Sequence, residues 1–237
     1  MIGVSTKFRS DEREIMDNLD FKGQELESTL DDLDRVNRLL GGYKVTLQGI
    51  EKILGSACFA QPVEITDVGC GNGSMLRQVA KMGRSKGIRM KLKGLDISDH
   101  TIEIARKQSK DFSEIRFERI DVTSEEFKKT RTDILLCTLT LHHFSDEEIE
   151  DLMKIFESSC QMGIVINDLH RSKTAYYLFK LYCAVFMRNE VAKKDGLTSI
   201  LRGFKRKDLE WYGRNLKMRK QLLSWKWAFR FQWILLK

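Results

Sequence analysis

The sequence predicts an α/β protein whose core is a doubly wound, mainly parallel sheet of seven strands. Short apolar segments alternate with helical patterns through residues 63–168, which is typical of parallel strands joined by helices. Three of these segments end in an acidic residue, and the chain closes with two apolar segments, 221–227 and 229–236, that predict an antiparallel hairpin. A chain of 237 residues with 42% hydrophobic content can bury one full core, so we expect one domain with additions.

The first predicted strand, 64–66, runs into a glycine-rich turn, DVGCGNG at residues 67–73, and then into a helix. Glycine at every second position lets the backbone pass close to a ligand, although a tight turn alone could also require it. The dinucleotide fingerprint places its third glycine three residues after the second, whereas Gly73 comes two after Gly71. A pyrophosphate favours a bare helix N-terminus, so the acid Asp67 suits a cationic ligand better.

The next strands also end in polar residues. The second, 90–96, ends in Asp96, where a carboxylate can hold both hydroxyls of a ribose. The third, 115–120, is followed by Asp121, which can accept a hydrogen bond from an adenine amino group. Since parallel strands end at one edge of the sheet, where open α/β sheets bind ligands, the three acids predict a nucleoside site. The fourth, 133–141, is the continuous apolar run of a central strand and is followed by two histidines.

Additions flank this sheet. Residues 1–60 are predicted to form an N-terminal helical extension that covers the cofactor, broken at Gly41-Gly42, and residues 61–237 the main domain. After the fifth strand, 163–167, an apolar and aromatic helix at 172–189 opens a helical, lid-like insertion that reaches to about residue 216. A packed helix or a homodimer face is an equally consistent interpretation of this aromatic helix.

Composition narrows the class of protein. The net charge is +7, and basic residues are concentrated in 188–220, where they could meet nucleic acid or simply form a solvated face. Five cysteines without CxxC spacing predict core residues in a reducing compartment, without structural zinc or disulfides. The charged N-terminus is atypical of a signal peptide, and the apolar run 174–187 is shorter than the ~20 residues of a membrane span. We expect a soluble, cytoplasmic protein.

These motifs resemble the class I S-adenosylmethionine (SAM) dependent methyltransferases of the ubiquinone and menaquinone biosynthesis type, and among them a bacterial subgroup of small-molecule methyltransferases. The general resemblance covers residues 63–168. The subgroup resemblance lies in segments 33–42, 141–144, 167–171, 196–204 and 227–231. The resemblance implies a Rossmann-like fold, SAM as the cofactor and S-adenosylhomocysteine (SAH) as its product.

The resemblance also implies roles for single residues. Around SAM it places Asp67, Gly69, Gly71 and Gly73 at the methionine part, Asp96 with Ile97 at the ribose, Asp121 with Val122 at the adenine, and Thr138 with Leu139 at the sulfonium. From the N-terminal extension, Asn37 and Arg38 could close over the cofactor, with Arg38 near its carboxylate.

Methyl transfer from a sulfonium is an in-line displacement in which positioning and desolvation supply most of the acceleration. A hydroxyl acceptor must also lose its proton, and a neutral histidine is the natural general base. We favour His143, with His142 and His170 as alternatives, although adjacent histidines could simply cap the strand. No metal is expected, because the order of Asn167 and Asp168 does not match metal-dependent catechol methyltransferases.

Three functions follow as hypotheses. The first is O-methylation of a hydroxylated aromatic, quinone-like or polyketide-derived small molecule. The second is methylation of RNA or protein through the basic C-terminal region. A nucleic-acid substrate is disfavoured because Pro62 is the only proline, so the proline-containing signatures of the known base methyltransferases are absent. The third is a non-catalytic SAM-binding partner subunit, against which the intact glycine loop and strand-end acids argue.

Overall fold

The computed structural model describes residues 4–237, so the first three residues of the predicted N-terminal extension lie outside it. Seven strands form a sheet in the order β3-β2-β1-β4-β5-β7-β6. They are β1 (Val63–Val68), β2 (Met90–Asp96), β3 (Ile115–Arg119), β4 (Thr132–Thr138), β5 (Cys160–Leu169), β6 (Lys220–Lys226) and β7 (Arg230–Leu236). Strands β1 to β5 are parallel, and β7 runs antiparallel between β5 and β6. The predicted Rossmann-like α/β fold with its C-terminal hairpin is confirmed.

Eight α-helices accompany the sheet in this part of the chain. They are α1 (Gly23–Leu39), α2 (Gly42–Leu54), α3 (Ser74–Lys86), α4 (Asp99–Gln108), α5 (Asp146–Ser159), α6 (Lys173–Phe186), α7 (Glu190–Arg202) and α8 (Arg206–Gly213). Short 3-10 turns lie at Ile15–Asp17, Phe127–Lys129 and Leu141–His143. The predicted break at Gly41-Gly42 separates α1 from α2. The prediction for the fourth strand was too long: it ends at Thr138 because Leu139 turns into the left-handed region, with φ +53°.

Helices cover both faces of the sheet, as a largely parallel sheet requires. Side chains alternate along each strand, so neighbouring residues of β4 enter different cores. Leu135 packs in the core shared with α5 and α8, whereas Leu136 packs in the core shared with α2, α3 and α4. The two cores hold β4 and β5 at the centre of the domain, and the carboxyl ends of these strands therefore form a rigid edge.

The N-terminal helix and the insertion pack together above this edge. A separate small core is formed by Val36 of α1, Cys183 of α6, Met187 just after α6, and Ala192 of α7. Helix α7 lies within the insertion predicted to be helical, but its bounds were not predicted, because its Gly196 and Thr198-Ser199 lower helix propensity. Tertiary contacts stabilise it: Gly196 lies against the ring of Phe179, and a Cβ at Gly196 would lie 2.5 Å from that ring.

Among residues 4–237, no helix combines the length and the apolar character needed to cross a membrane. Four of the five cysteines are buried, and none pairs in a disulfide.

Candidate active site

A cavity of about 540 Å³ lies at the carboxyl edge of β1, β2 and β4. Its roof comes from the N-terminal segment and from helices α1, α6 and α7. The apolar part of its wall includes Leu30, Leu33, Leu178, Phe179, Tyr182, Ile200, Trp227 and Phe229. Its volume and apolar lining are those of a small-molecule site.

The glycine-rich turn forms the floor of the cavity beside β1. Gly71 has φ +53° and its N–H donates to Oδ2 of Asp96 at 3.2 Å, which ties the turn to the end of β2. Gly73 has φ +76°, and a Cβ there would lie 2.6 Å from the ring of Phe117. Gly69 and Gly71 line the cavity, whereas Gly73 lies behind the wall in this packing contact. A side chain at Gly71 or Gly73 would therefore strain the turn.

Asp67, at the end of β1, is buried and lines the cavity, and its Oδ1 has no hydrogen-bond partner among the described residues. Burial, together with the negative charge of Asp96, raises the pKa of Asp67 to about 8. A buried carboxyl group without a partner is costly, so a cation that enters the cavity beside it would stabilise its ionised form.

Asp96 is half-buried at the end of β2, and its Oδ1 accepts from the N–H of Ser98 at 3.0 Å. Burial raises the pKa of Asp96, and the hydrogen bonds from Ser98 and Gly71 offset part of that rise. Ile97 lines the cavity beside it. At the far rim, Val122 is buried, while Asp121 is exposed with Oδ1 bonded to the N–H and hydroxyl of Thr123. The predicted ribose and adenine residues therefore lie along one wall.

Thr138 and Leu139 line the cavity where β4 ends. The left-handed backbone of Leu139 is held by its N–H, which donates to the carbonyl of Asn167 at 2.9 Å. The hydroxyl of Thr138 lies 3.1 Å from that of Thr46 in α2. A non-glycine residue in this conformation is strained and persists because neighbouring strands hold it, which is a frequent feature of functional sites.

His142 is buried between two carboxylates. Its Nδ1 lies 2.7 Å from Oδ1 of Asp168, and its Nε2 lies 3.3 Å from Oε1 of Glu14. Burial alone would lower the pKa of His142, but the two carboxylates raise it to about 10. The ring therefore carries a proton at neutral pH and acts as the cation of a buried ion network. The structure argues against His142 as the alternative base, because both of its ring nitrogens face buried carboxylates.

His143 is half-exposed on the cavity wall, and its Nδ1 lies 2.8 Å from Oδ1 of Asp17. Burial alone would raise the pKa of Asp17, but the hydrogen bond and charge of His143 lower it below its ordinary value. An ionised Asp17 accepts a hydrogen bond from Nδ1–H, and in that tautomer the lone pair of the imidazole is on Nε2. The pair has the arrangement of a histidine base oriented by a carboxylate.

Glu14, His142 and His143 also converge, with one potential ligand atom from each within 4.8 Å of the others. Burial would raise the pKa of Glu14, but the hydrogen bond and charge of His142 and the charge of His143 lower it. The proton on His142 supplies the positive charge that the buried carboxylate of Glu14 needs, so the cluster is balanced as an ion network.

Helix α7 holds the N-terminal segment over the histidines. Asp195 accepts from the N–H groups of Ile15 and Met16 at 2.8 and 3.0 Å, and the hydroxyl of Ser199 donates to Oε1 of Glu14 at 2.7 Å. Arg202 donates from Nε to the carbonyl of His142 at 3.0 Å and from Nη1 to the carbonyl of Glu12 at 2.8 Å. Glu14 and Asp17 thus reach the cavity because α7 fixes their backbone.

Comparison with known proteins places this geometry in a family. Residues 65–163 match the family described as "Methyltransferase domain". A carboxy-S-adenosyl-L-methionine synthase from Helicobacter pylori (strain HPAG1) is 28% identical over 173 residues, which is 68% of each chain. Residues 65–163 are therefore a class I SAM-dependent methyltransferase domain.

Solved structures share the fold of this methyltransferase. The plantazolicin methyltransferase BpumL, solved in complex with SAH, superposes with a TM-score of 0.64 at 14% identity, covering 90% of this chain and 96% of that chain. Human N-acetylserotonin methyltransferase, solved in complex with SAM, gives a TM-score of 0.60 at 13% identity, covering 90% of this chain and 56% of the human enzyme. The comparisons support the class of SAM-dependent methyltransferases but do not test the predicted subgroup of small-molecule methyltransferases.

The cavity of the methyltransferase fits SAM. The orphan Oδ1 of Asp67 suits the positive charges of the cofactor, and the bare backbone of Gly69 and Gly71 allows a close approach. Asp96 and Asp121 follow at successive strand ends along the same wall. These residues, with Ile97, Val122, Thr138 and Leu139, would hold the cofactor.

The structure does not bring two predicted residues to the cavity. Arg38 is exposed on α1, since the cavity-facing side of this helix carries Asp34 and Asn37 instead. His170 lies behind the wall, where its Nδ1 accepts from Nε1 of Trp225 at 3.3 Å and its ring packs against Phe231. Both placements correct the corresponding predictions, and His170 is no longer an alternative base.

Sequence reasoning missed Glu14, Asp17 and Arg230, which all line the cavity. Glu14 and Asp17 belong to an acidic N-terminal stretch with no periodic pattern that would bring it to the sheet edge. For Arg230 a signal was available in the sequence, because it is the single charged residue of strand β7 and stands at its start. A charge at that position is unusual in a buried strand.

The pKa of Asp67 predicts how cofactor binding depends on pH. SAM binds best to ionised Asp67, so we expect its affinity to rise between pH 6 and 7.5 by up to about tenfold per unit. The folded pKa of Asp67 lies above its unfolded value, so the free protein loses stability as pH rises toward 8. The stabilisation by SAM therefore grows with pH. Calorimetric titration and thermal unfolding at four pH values check this.

The control is Asp67→Asn, which keeps the shape of the side chain but does not titrate. Its SAM affinity should be weaker and nearly independent of pH over the same range. An equal pH dependence in Asp67→Asn and in the wild type would assign the effect to another group.

Proposed function

We propose that the enzyme transfers the methyl group of SAM to a hydroxyl oxygen of an aromatic or otherwise apolar small molecule. The observation that carries this proposal is the His143–Asp17 pair on the wall of an apolar cavity. When bound, SAM supplies an electrophilic methyl group on a sulfonium, which leaves as the neutral thioether of SAH.

The residues of the chain handle the proton of the acceptor. Asp17 orients His143. Its Nε2, which lies 4.0 Å from Oε2 of Glu14 and so beyond hydrogen-bond distance of it, accepts the hydroxyl proton as the new C–O bond forms and the C–S bond breaks. Because the side chain of His143 is 28% exposed, the proton can then pass to solvent. The roof formed by α1, α6 and α7 excludes water from the methyl group.

The class of acceptor follows from the walls of the cavity. Leu178, Phe179 and Tyr182 of α6 line one side, and Trp227 and Phe229 line another. Flat or apolar molecules match such walls, so hydroxylated aromatic, quinone-like and polyketide-derived compounds are the proposed acceptors. The same helix leaves Leu181, Val185 and Phe186 exposed, and this face is where a second copy of the chain would pack in a homodimer.

The basic C-terminal region gives less support to a nucleic-acid substrate. Lys193 and Arg214 pair with Glu190 and Glu150, and Arg206 pairs with Glu210. Arg202 is buried, and its N–H groups donate hydrogen bonds to backbone carbonyls. Charges already neutralised within the fold contribute little to phosphate binding.

The experiment is a screen of matched acceptor pairs with SAM, read by mass spectrometry of both products. Each phenol or quinol is paired with its O-methyl ether, which lacks the reactive hydroxyl, and with the corresponding aniline. Methylation of the hydroxyl compound alone, with one SAH formed per product, supports the proposal. Methylation of the ether or the aniline instead indicates carbon or nitrogen transfer.

A further inference from the structure

Arg230 is a buried cation in the wall of the cavity. It is the first residue of β7, pairs in register with Leu169 of β5, and is only 2% exposed. A Cβ added to Gly42, the first residue of α2, would lie 2.8 Å from its Nη1. The guanidinium therefore packs against the start of α2.

The guanidinium has no partner in the described part of the chain. Nε and Nη1 are both buried without a hydrogen bond, and no carboxylate lies within ion-pair distance of Arg230 in residues 4–237. Burial lowers the pKa of Arg230 to about 10, although the charge of Asp168 acts in the opposite direction. A folded protein rarely leaves such a cation unpaired, because its desolvation is uncompensated.

Nearby polar groups do not meet this need. Asp168 is already committed to His142, with Oδ1 at 2.7 Å from Nδ1. Asn37 lines the same cavity, but its Oδ1 also lacks a hydrogen-bond partner. The N-terminus of α2 adds the positive end of a helix dipole beside the guanidinium. The guanidinium of Arg230 and the N-terminus of α2 thus face the same region of the cavity, and no uncommitted carboxylate among the described residues compensates their positive charge.

We propose that Arg230 is a carboxylate-binding residue of the active-site cavity. A carboxylate matches the planar, multiply donating guanidinium and the N–H groups at the start of α2. It also offers the single charge that the buried cation lacks.

Two sources could supply this carboxylate. One is the methionine end of SAM. Arg230 would then have the role predicted for Arg38, which is exposed, and this case rests only on the cofactor assignment. The other is an acidic group on the acceptor, which rests on the proposed function as well. In the sheet, β7 is separated from β1 by β4 and β5, so Arg230 approaches the cavity from the side opposite β2 and β3.

The first arm of the test compares SAH with 5′-methylthioadenosine, which lacks the amino-acid end, by calorimetric titration of the wild type and of Arg230→Met. If SAM supplies the carboxylate, Arg230→Met weakens the affinity for SAH at least tenfold and leaves the affinity for 5′-methylthioadenosine unchanged. Arg230→Lys, which keeps the charge, should recover part of the SAH affinity. Arg219→Met is the matched control, since Arg219 is exposed.

The second arm titrates SAH-loaded protein with 4-hydroxybenzoate and with its uncharged methyl ester. If the acceptor supplies the carboxylate, the wild type prefers the acid, and Arg230→Met loses that preference while its SAH affinity stays unchanged. A wild type that binds no SAH would overturn the cofactor assignment, and the same titration of ligand-free protein with 4-hydroxybenzoate and its ester would then decide the role of Arg230.

Thermal unfolding separates a ligand site from a structural role. Removing an unpaired buried charge should raise the melting temperature of ligand-free Arg230→Met and shrink the shift produced by the ligand. A lower melting temperature, with SAH affinity unchanged and no preference for 4-hydroxybenzoate that depends on Arg230, would overturn the proposal.

Discussion

Replacing Asp96 with alanine is expected to weaken SAH binding by about 100-fold or more. The residue stands at the end of β2, where its oxygens accept from the N–H groups of Gly71 and Ser98 and where it faces the cavity. Two charge-assisted hydrogen bonds to ribose hydroxyls, each contributing about 1.5–3 kcal/mol, account for the loss. Calorimetric titration with SAH measures it directly.

Asp99→Ala is the matched control for this prediction. Asp99 begins α4 three residues later, is exposed, and pairs with Arg119 on the surface. Its removal should leave SAH affinity unchanged. Since Asp96 also holds the glycine turn, thermal unfolding of Asp96→Ala must show a cooperative transition. A folded Asp96→Ala with wild-type affinity would remove Asp96 from the cofactor site.

Replacing His143 with glutamine is expected to lower turnover by about 10²- to 10⁴-fold, the contribution typical of a general base. SAH affinity should remain within about twofold, because the proposed role concerns the proton of the acceptor. Asp17→Asn should give a smaller loss in the same direction, since it removes the carboxylate that orients Nδ1 at 2.8 Å. Turnover with the best acceptor from the screen is the measurement.

Two controls make this result specific. His170→Gln should retain normal turnover, because His170 lies behind the cavity wall against Trp225. Turnover should also be unchanged by EDTA, because the positive charge of His142 balances the buried carboxylates without a metal. Inhibition by EDTA would instead assign a metal ion to Glu14, His142 and His143. Normal turnover in His143→Gln would exclude His143 as the base.

His142 itself is a poor test of catalysis. Its removal would leave Glu14 and Asp168 as unpaired buried carboxylates, and breaking a buried pair in this way costs about 3–5 kcal/mol. Loss of activity in a His142 variant would therefore follow from loss of stability. The contrast between the two adjacent histidines comes from burial, since the side chain of His142 is 2% exposed and that of His143 is 28% exposed.

The strand-end acids were predictable because they depend on local order along the chain. Asp67, Asp96 and Asp121 each follow an apolar strand, and parallel strands place such residues at one edge. The positive φ of Gly71 and Gly73 follows from the same local pattern. The error at the end of the fourth strand was also local: an apolar sequence continues through Leu141, but the backbone turns at Leu139.

The roles of the histidines could not be predicted, because they depend on charges from distant parts of the chain. Glu14 and Asp17 come from an N-terminal segment that α7 holds in place through Asp195 and Ser199, about 180 residues away. No periodic pattern marks that segment or predicts this contact.

The sequence by itself determined the parallel sheet, the glycine turn, the acids at three strand ends and hence the class of cofactor, because each depends on the alternation of short segments along the chain. Tertiary structure alone decided that His142 lies between two carboxylates, that His143 pairs with Asp17, and that Arg230 rather than Arg38 lies in the cavity wall. The physical reason is that pKa values and burial depend on charges and solvent exclusion by segments far apart in the chain, which only the folded arrangement brings together.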